Sequence, residues 1–561
     1  MERALSVMDY AVLVVSCAEG VQSHTETVWR LLDSYRIPVF LFLNKVDRAG
    51  ADPDAVIAQM KRRLSGDVID LRSLQDTGDM DEPLQEAVAE RDEALLERMF
   101  SLGYDAALWQ DALRRQIAQR QCFPVMAGSA LNDQGVERFL SLVSTLSVTG
   151  YDARTAEPLT ARCYRVRHEQ SSPRLCFLKL LTGTLRVKDT LPGGQQVNEL
   201  RIYHGGKYRA ADQAQAGDIV AIPGLDGIIP GDWVGVDQPN VFRTEPMMAA
   251  DLLWDSKAIP AFRMMEAMRL MEDEEPSLAV TEQQGGMTVH IMGKIQLDVL
   301  RQQIRERFGW TVDFGPARVL YKETIAAPSI GIGHYEPLRH YAEVQLRLVP
   351  GEAGSGLRFR SRCHVDDLAL NWQQLIETHV FEKQHKGVLI GAPLTDVTVE
   401  LLTGRAHLKH TEGGDFRQST YRAIRNALMY AQSVLLEPIC GFKLRAPGEF
   451  YGTLSGALSR MQAETDVPVY EGDDVILCGE ARYAAFAAWQ EEFMAATRGR
   501  GALQVWMSRY APCRDQDAIV EAAAYQPLAD DTPDSVFCSH GAGYTVPWNE
   551  VKDHAHTVWE E

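Results

Sequence analysis

No stretch of the 561 residues reaches ~18 consecutive apolar side chains, so nothing in the sequence reads as a membrane-spanning helix. The spacing C-x-x-C does not occur. The nine cysteines are scattered and odd in number, which argues against a disulfide framework or a zinc site and fits a reducing cytoplasm. An excess of positive charge is also missing: 57 Lys and Arg face 77 Asp and Glu, a net −20. That balance excludes a protein that coats bare nucleic acid through many Lys/Arg–phosphate contacts, but not a local basic site on an acidic body. The opening decapeptide, MERALSVMDY, does not read as a signal peptide, because Glu2 and Asp9 bracket too short an apolar stretch. Internal repeats and low-complexity segments are not evident. What remains is ordinary globular composition, 45% hydrophobic and 24% charged, at a length that predicts about three to five domains.

Residues 10–17, YAVLVVSC, form a valine-rich apolar run that reads as a strand buried on both faces. Residues 22–35 read as a helix with Val28, Leu31 and Leu32 on one side, and residues 38–43, PVFLFL, read as a second doubly buried strand. Strand, helix and strand at this spacing predict a parallel βαβ unit. Ligands of such sheets bind beyond the carboxyl ends of the strands. The second strand ends in Asn44-Lys45-Val46-Asp47. An aspartate there can accept two hydrogen bonds from the N1 and N2 edge of guanine. An asparagine can hold the surrounding loop, and a lysine stem can cover the base plane. A polar loop that merely ends a strand explains four such residues about as well.

A third strand over residues 121–126 runs into Ala127-Gly128-Ser129-Ala130. The Gly-Ser-Ala turn lets backbone N–H groups approach a ligand carbonyl closely. Alone it is a weak signal; with NKVD one strand earlier it makes a two-part guanine signature. At this point the chain resembles the translational GTPases, in the elongation factor G and tetracycline ribosomal-protection branch. The carriers are RALSVMDYAVLVVSCAEGVQSHT, NKVD and GSA, which look like the second half of that family's G domain. The resemblance implies that Asn44, Lys45 and Asp47 read guanine, with Ser129 and Ala130 at its O6, and that GTP or GDP is the cofactor.

The family's phosphate loop, G-x-x-x-x-G-K-[ST], occurs nowhere in the 561 residues. Its magnesium-holding threonine loop and its D-T-P-G-H segment are not found either, so no ligand for Mg2+ and no catalytic residue is assigned. In the family these parts precede the NKVD half, and average element lengths put them at roughly 70–90 residues. The expectation is a partial P-loop-type G domain over residues 1–155, unable to hydrolyse GTP as it stands. Strand 10–17 should then be a long apolar sheet edge.

Residues 51–120 read as a mostly helical insertion, and the acidic stretch around 76–90 as a solvated face. Residues 157–247 read as short alternating strands between Gly, Pro and Asp turns, resembling the translation-factor β-barrel. Residues 250–323 resemble the third domain of elongation factor G, a ferredoxin-like α+β unit in which Gly293 is expected at a tight backbone approach. Residues 324–435 match the family's fourth, ribosome-contacting domain, and 436–512 its fifth. An acidic segment, 513–561, follows, with two basic and ten acidic residues.

In the fourth domain the charge reverses locally. Arg405, Lys409, Arg417, Arg422 and Arg425 face only Glu412 and Asp415. A basic glycine-containing loop at a helix amino terminus suits phosphate, and aromatic or Arg side chains can stack on unpaired RNA bases. Ordinary solvated loops would look the same without the resemblance. With it, His334, Tyr335, Arg339, His340, His407, Lys409, His410 and Arg417 are the expected contacts with ribosomal RNA near the decoding centre. The loop that carries a proline- and valine-bearing tip in the protection proteins reads HLKHTEGG here, without proline. Tetracycline displacement and another translational role therefore both stay open.

The fold expected is multidomain α/β and α+β: a partial G domain, a β-barrel and three small α+β domains, as in elongation factor G. The function expected is that of a cytoplasmic, monomeric, ribosome-binding translation factor of the GTPase type, with no membrane partner. The alternative is a non-enzymatic ribosome-binding protein with a vestigial G domain.

Overall fold

The apolar runs at 10–17 and 38–43 form strands Ala11–Ser16 and Val39–Asn44, paired in parallel from Ala11↔Val39 to Ser16↔Asn44. In the computed structural model, which describes residues 2–75, 77–169, 172–240, 245–283 and 286–557, they open a four-stranded parallel sheet. The spatial order is Ala11–Ser16, Val39–Asn44, Phe123–Ala127, Val68–Asp70. Alternate side chains feed opposite faces. Leu41 and Leu43 pack with Trp29, Leu32, Val56 and Met60, whereas Phe40 and Phe42 pack with Trp109, Leu113, Ile117 and Phe139.

The first strand differs from its expected double burial. Leu13 and Val15 are covered, but Val12 and Val14 are 45% and 55% exposed. The strand lies at the sheet's edge, and only one of its faces has a layer against it. Among the described residues the insertion contains four helices, Pro53–Arg63, Glu82–Ala89, Glu93–Ser101 and Ala106–Ala118. Each starts at an aspartate: Asp52, Asp81, Asp92 and Asp105 accept backbone N–H bonds of the first turn. Part of the acidic composition is thus helix-capping. The insertion also hides the short strand Val68–Asp70, in register with Phe123–Val125.

The chain divides into two compact units, Met1–Thr244 with Ser256–Val280, and Glu245–Asp255 with Thr281–Glu561. The first unit also holds the segment read as a β-barrel. Strands between Thr160 and Val234 form a six-stranded antiparallel sheet around Cys163, Cys176, Leu178, Leu180, Val220 and Ile222. Lys179 of this sheet donates to Asp9 at 3.0 Å, and Asp9 also accepts from Tyr151.

Among the described residues the second unit contains three sheets. One is built on Met248–Leu253 and Gly286–Ile291. One is built on the long strand Ser433–Pro447, flanked by Asp474–Arg482 and Ala502–Pro512. The third runs in the order Leu357–Ser361, Val397–Ala406, Ala342–Pro350, Ser329–Tyr335, Ser535–Ser539, Ala542–Val546. Residues 535–546, read from the sequence as part of an acidic segment after the last domain, therefore supply two strands to this sheet. Tyr335 pairs in parallel with Val536. Among the described residues no helix is long and apolar enough to cross a membrane.

Close backbone approach falls at other glycines than the one expected. A Cβ on Gly293 would meet nothing within 4 Å, so that expectation is corrected. A Cβ on Gly333 would sit 1.9 Å from the Ser419 carbonyl oxygen, and one on Gly331 2.1 Å from that of Ala423. The helix Gly413–Tyr430 lies directly on the strand Ser329–Tyr335 at these positions. Gly333→Ala is expected to destabilise the second unit by about 1–3 kcal/mol through overpacking, whereas G293A changes it by under about 0.5 kcal/mol. Denaturant unfolding of the two variants measures the difference, and equal stabilities would contradict the packing.

Candidate functional site

The Asn44 strand ends beside the Gly-Ser-Ala turn because two backbone bonds lock the segments together. Gly128 N–H donates to the Leu43 carbonyl at 2.8 Å, and Val46 N–H to the Gly128 carbonyl at 3.3 Å. Gly128 has no room for a side chain, since a Cβ would lie 2.2 Å from the Gln134 carbonyl oxygen and 2.9 Å from the Phe42 ring. Across this junction Asn44 Oδ1 accepts from Ala130 N–H at 2.9 Å and from Lys45 N–H at 2.8 Å. One asparagine thus bridges segments 86 residues apart and steadies Lys45, whose φ of +68° is left-handed. Asp47 stands exposed past the strand end. The Ser129 hydroxyl beside it holds its carboxyl below the usual carboxylate range, helped by its own backbone N–H. Ser129 is 1% exposed, and its Oγ has no partner of regular hydrogen-bond geometry. The Ser129 hydroxyl thus acts on Asp47 from a buried position without a closed bond.

The five residues Asn44, Lys45, Asp47, Ser129 and Ala130 form one cluster at the carboxyl ends of adjacent strands. The arrangement offers one exposed carboxylate able to accept an N–H pair, beside a turn whose Ser129 and Ala130 N–H groups donate to the Gln134 carbonyl and Asn44 Oδ1. Sequence reasoning did not anticipate Leu131, a 91% exposed apolar side chain one residue beyond Ala130; a lone leucine in a loop carries no local signal.

The second cluster lies at one end of the third sheet of the other unit. The hairpin between Tyr335 and Ala342 and the loop after Ala406 sit side by side, because Ala342 pairs with Ala406. Thr411 Oγ1 donates to the Tyr341 carbonyl at 2.6 Å, tying the loops together. His407 and His410 stack at 4.6 Å, Lys409 N–H donates to His407 Nδ1, and Leu408 projects wholly into solvent. Arg339 is exposed, and His340 Nδ1 comes within 2.8 Å of Asp415. Arg417 donates to Glu382, and the Arg422 guanidinium covers Tyr335 at 5.1 Å.

His334 does not belong to this tip. It is 0% exposed, approaches Glu343 through Nδ1 at 2.8 Å and Glu336 through Nε2 at 3.1 Å, and stacks on Phe537 at 4.0 Å. The expectation of an RNA contact is corrected for it, because no face of the ring reaches solvent. His334, Glu343 and His556 bring metal-ligand atoms within 4.8 Å of one another. Glu343, however, already accepts from His334, Thr557 and the His556 backbone N–H, so the cluster is closed by hydrogen bonds.

The segments that carry both clusters have matches among known proteins. Residues 1–148 match the family described as Elongation factor Tu GTP binding domain, 317–432 match Elongation factor G, domain IV, and 434–519 match Elongation factor G C-terminus. The chain belongs to the elongation factor G and tetracycline ribosomal-protection family. Its first domain is of the translational-GTPase type, a guanine-nucleotide-binding fold. A curated relative, Tetracycline resistance protein TetP of Clostridium perfringens, is 27% identical over 529 residues, which cover 89% of this chain and 80% of the relative. The crystal structure of ttk003000868 from Thermus thermophilus shares the fold, with a TM-score of 0.57, 23% identity, and 94% of this chain against 87% of that one.

Proposed function

We propose that this chain acts on the ribosome in the cytoplasm as a monomeric guanine-nucleotide-binding factor that grips the base without hydrolysing GTP. The observation that carries the reading is the Asn44 bridge to Ala130 N–H, with Asp47 exposed beside it. Asp47 receives the guanine N1–H and N2–H, with Ser129 and Ala130 at O6, where Ala130 N–H exchanges its bond to Asn44 Oδ1 for one to the base. Lys45 lies along the base. The 561 residues contain no G-x-x-x-x-G-K-[ST], and neither a phosphate cradle nor a water-positioning group can be assigned. No hydrolytic step follows from residues that hold only the base.

Equilibrium binding and turnover test the reading. Guanosine is expected to bind within about tenfold of GDP, a difference under ~1.4 kcal/mol, because the phosphates find no partner. Added ribosomes should produce no GTP turnover by this chain. Turnover with ribosomes, or a GDP preference of several hundredfold, would defeat the proposal.

The tip of the second unit supports the ribosomal partner. Arg339, His340, His407, Lys409 and His410 converge from two loops at one sheet end, with Tyr335 and Arg417 behind them. A reading in which these domains bind ribosomes with no nucleotide role rests on the same tip. Co-sedimentation with ribosomes that is indifferent to guanine nucleotide would favour it. The proline-free loop at 407–414 fits a translational role as well as drug displacement. A change in tetracycline's inhibitory concentration on expression separates those two.

A further inference from the structure

We infer that the outer face of the edge strand Leu357–Ser361 is a track for RNA phosphates, separate from the two-loop tip. Leu357 and Phe359 point into the core of the second unit. Strand alternation turns Arg358 and Arg360 to the opposite face. Arg362, whose N–H bonds to the Leu401 carbonyl, extends the same row. Guanidiniums at two-residue steps stand about 6.6 Å apart along a strand, a step comparable with that between successive phosphates of a nucleic acid strand. The strand is the outermost of its sheet, so a second polymer can run alongside the row.

The charge of this face is not balanced. Arg360 opposes Glu400 across the sheet and pairs with it, and Arg362 and Arg347 reach the same carboxylate at 3.7 and 4.0 Å. Glu400 is 1% exposed, and its Oε2 accepts no hydrogen bond. One buried carboxylate thus aims three guanidiniums, while Arg360 and Arg362 keep 62% and 49% of their side chains exposed. With exposed Arg358 the face carries four positive groups to one negative. Arginine favours phosphate because its planar fork donates two parallel bonds. The row stops at the next turn, where Asp366 lies 3.2 Å from His364.

The source of the RNA rests on the ribosomal reading above; the phosphate chemistry does not. The test measures affinity of the full chain for ribosomes, and for a 20-nucleotide single-stranded RNA, over a series of KCl concentrations. R358Q/R362Q removes two charges and spares the Arg360–Glu400 pair. K207Q/R209Q makes the same charge change on exposed residues of the barrel. R358Q/R362Q, with wild-type melting behaviour, is expected to flatten the slope of log affinity against log salt by about 1.4–1.8 on both ligands. K207Q/R209Q should keep the wild-type slope. If the wild type binds and R358Q/R362Q keeps its slope, or both variants lose it equally, the track is overturned while the ribosomal reading survives. If the wild type binds the RNA but not ribosomes and R358Q/R362Q still flattens the slope, the ribosomal reading fails and the track stands. Binding to neither ligand ends both.

Discussion

D47N is expected to lower affinity for guanosine and GDP by about 10²–10⁴-fold. The carboxylate accepts two hydrogen bonds from guanine, each worth ~1.5–3 kcal/mol because the acceptor is charged. An amide can still accept from N1–H through its oxygen. Its NH2 then faces the 2-amino group, donor against donor, and both groups lose their partners on leaving water. Xanthine bears a carbonyl at C2 instead, which would accept from that NH2. The same variant should therefore bind xanthosine nucleotides more tightly than the wild type does. Calorimetry of wild type and D47N against GDP and XDP reads both arms. The Ser129 hydroxyl and the Asp47 backbone N–H keep the carboxyl ionised below the usual range, so wild-type guanine affinity should persist into mild acid while the fold lasts. Loss of GDP affinity with no gain for XDP would mean that Asp47 shapes the loop rather than reading the base. Unchanged GDP affinity would remove the base-reading assignment altogether.

What the sequence made legible follows the range of the interaction. Strand Val39–Asn44 was plain because its first five residues alternate between two cores and all five are buried. The same apolar reading failed for Val12 and Val14, since hydrophobicity reports what a strand could bury, not whether a layer covers it. Strand Val68–Asp70 has three residues, too few for any period to register. NKVD is contiguous, so the candidate base-reading group was visible. Its tie to Ala130 spans 86 residues and rested on family resemblance alone. His334 shows the opposite failure. It lies between two strand glycines and a tyrosine, a context that looks like a loop, and its burial is created by Phe537 and His556 from the far end of the chain. Nothing local marks a contact across some 200 residues. Gly293 lies in a bend with open space around it, whereas Gly333 lies in a strand under a helix that no local residue announces.

That distant contact makes the second large effect an acid-labile one. Glu343 is wholly buried. Burial alone would raise its carboxyl, but hydrogen bonds from His334, Thr557 and the His556 backbone N–H outweigh it and hold the group at about 2. The folded value lies below the ordinary 4.5. The stabilisation is therefore complete above pH 4.5 and is lost as pH falls towards 2. A shift of this size corresponds to ~3 kcal/mol. His385 adds an earlier step of the same sign: burial holds it at about 4, below its ordinary 6.5, so its contribution declines as pH falls through that window. Arg405 joins the latch from the side by donating to the His556 carbonyl. His556 is itself lowered, first by burial and then by His334. E343Q removes the charge that gathers these donors. At pH 7 it should cost the second unit ~3 kcal/mol and speed hydrogen exchange in strands Ser535–Ser539 and Ala542–Val546 before the rest of their sheet. Below pH 3 wild type and variant should converge, because the wild-type carboxyl is then largely neutralised in the unfolded state and increasingly so in the folded one. An E343Q protein that matches the wild type at pH 7, or keeps the full difference at pH 2, would show that the carboxylate does not hold the carboxyl-terminal strands in place.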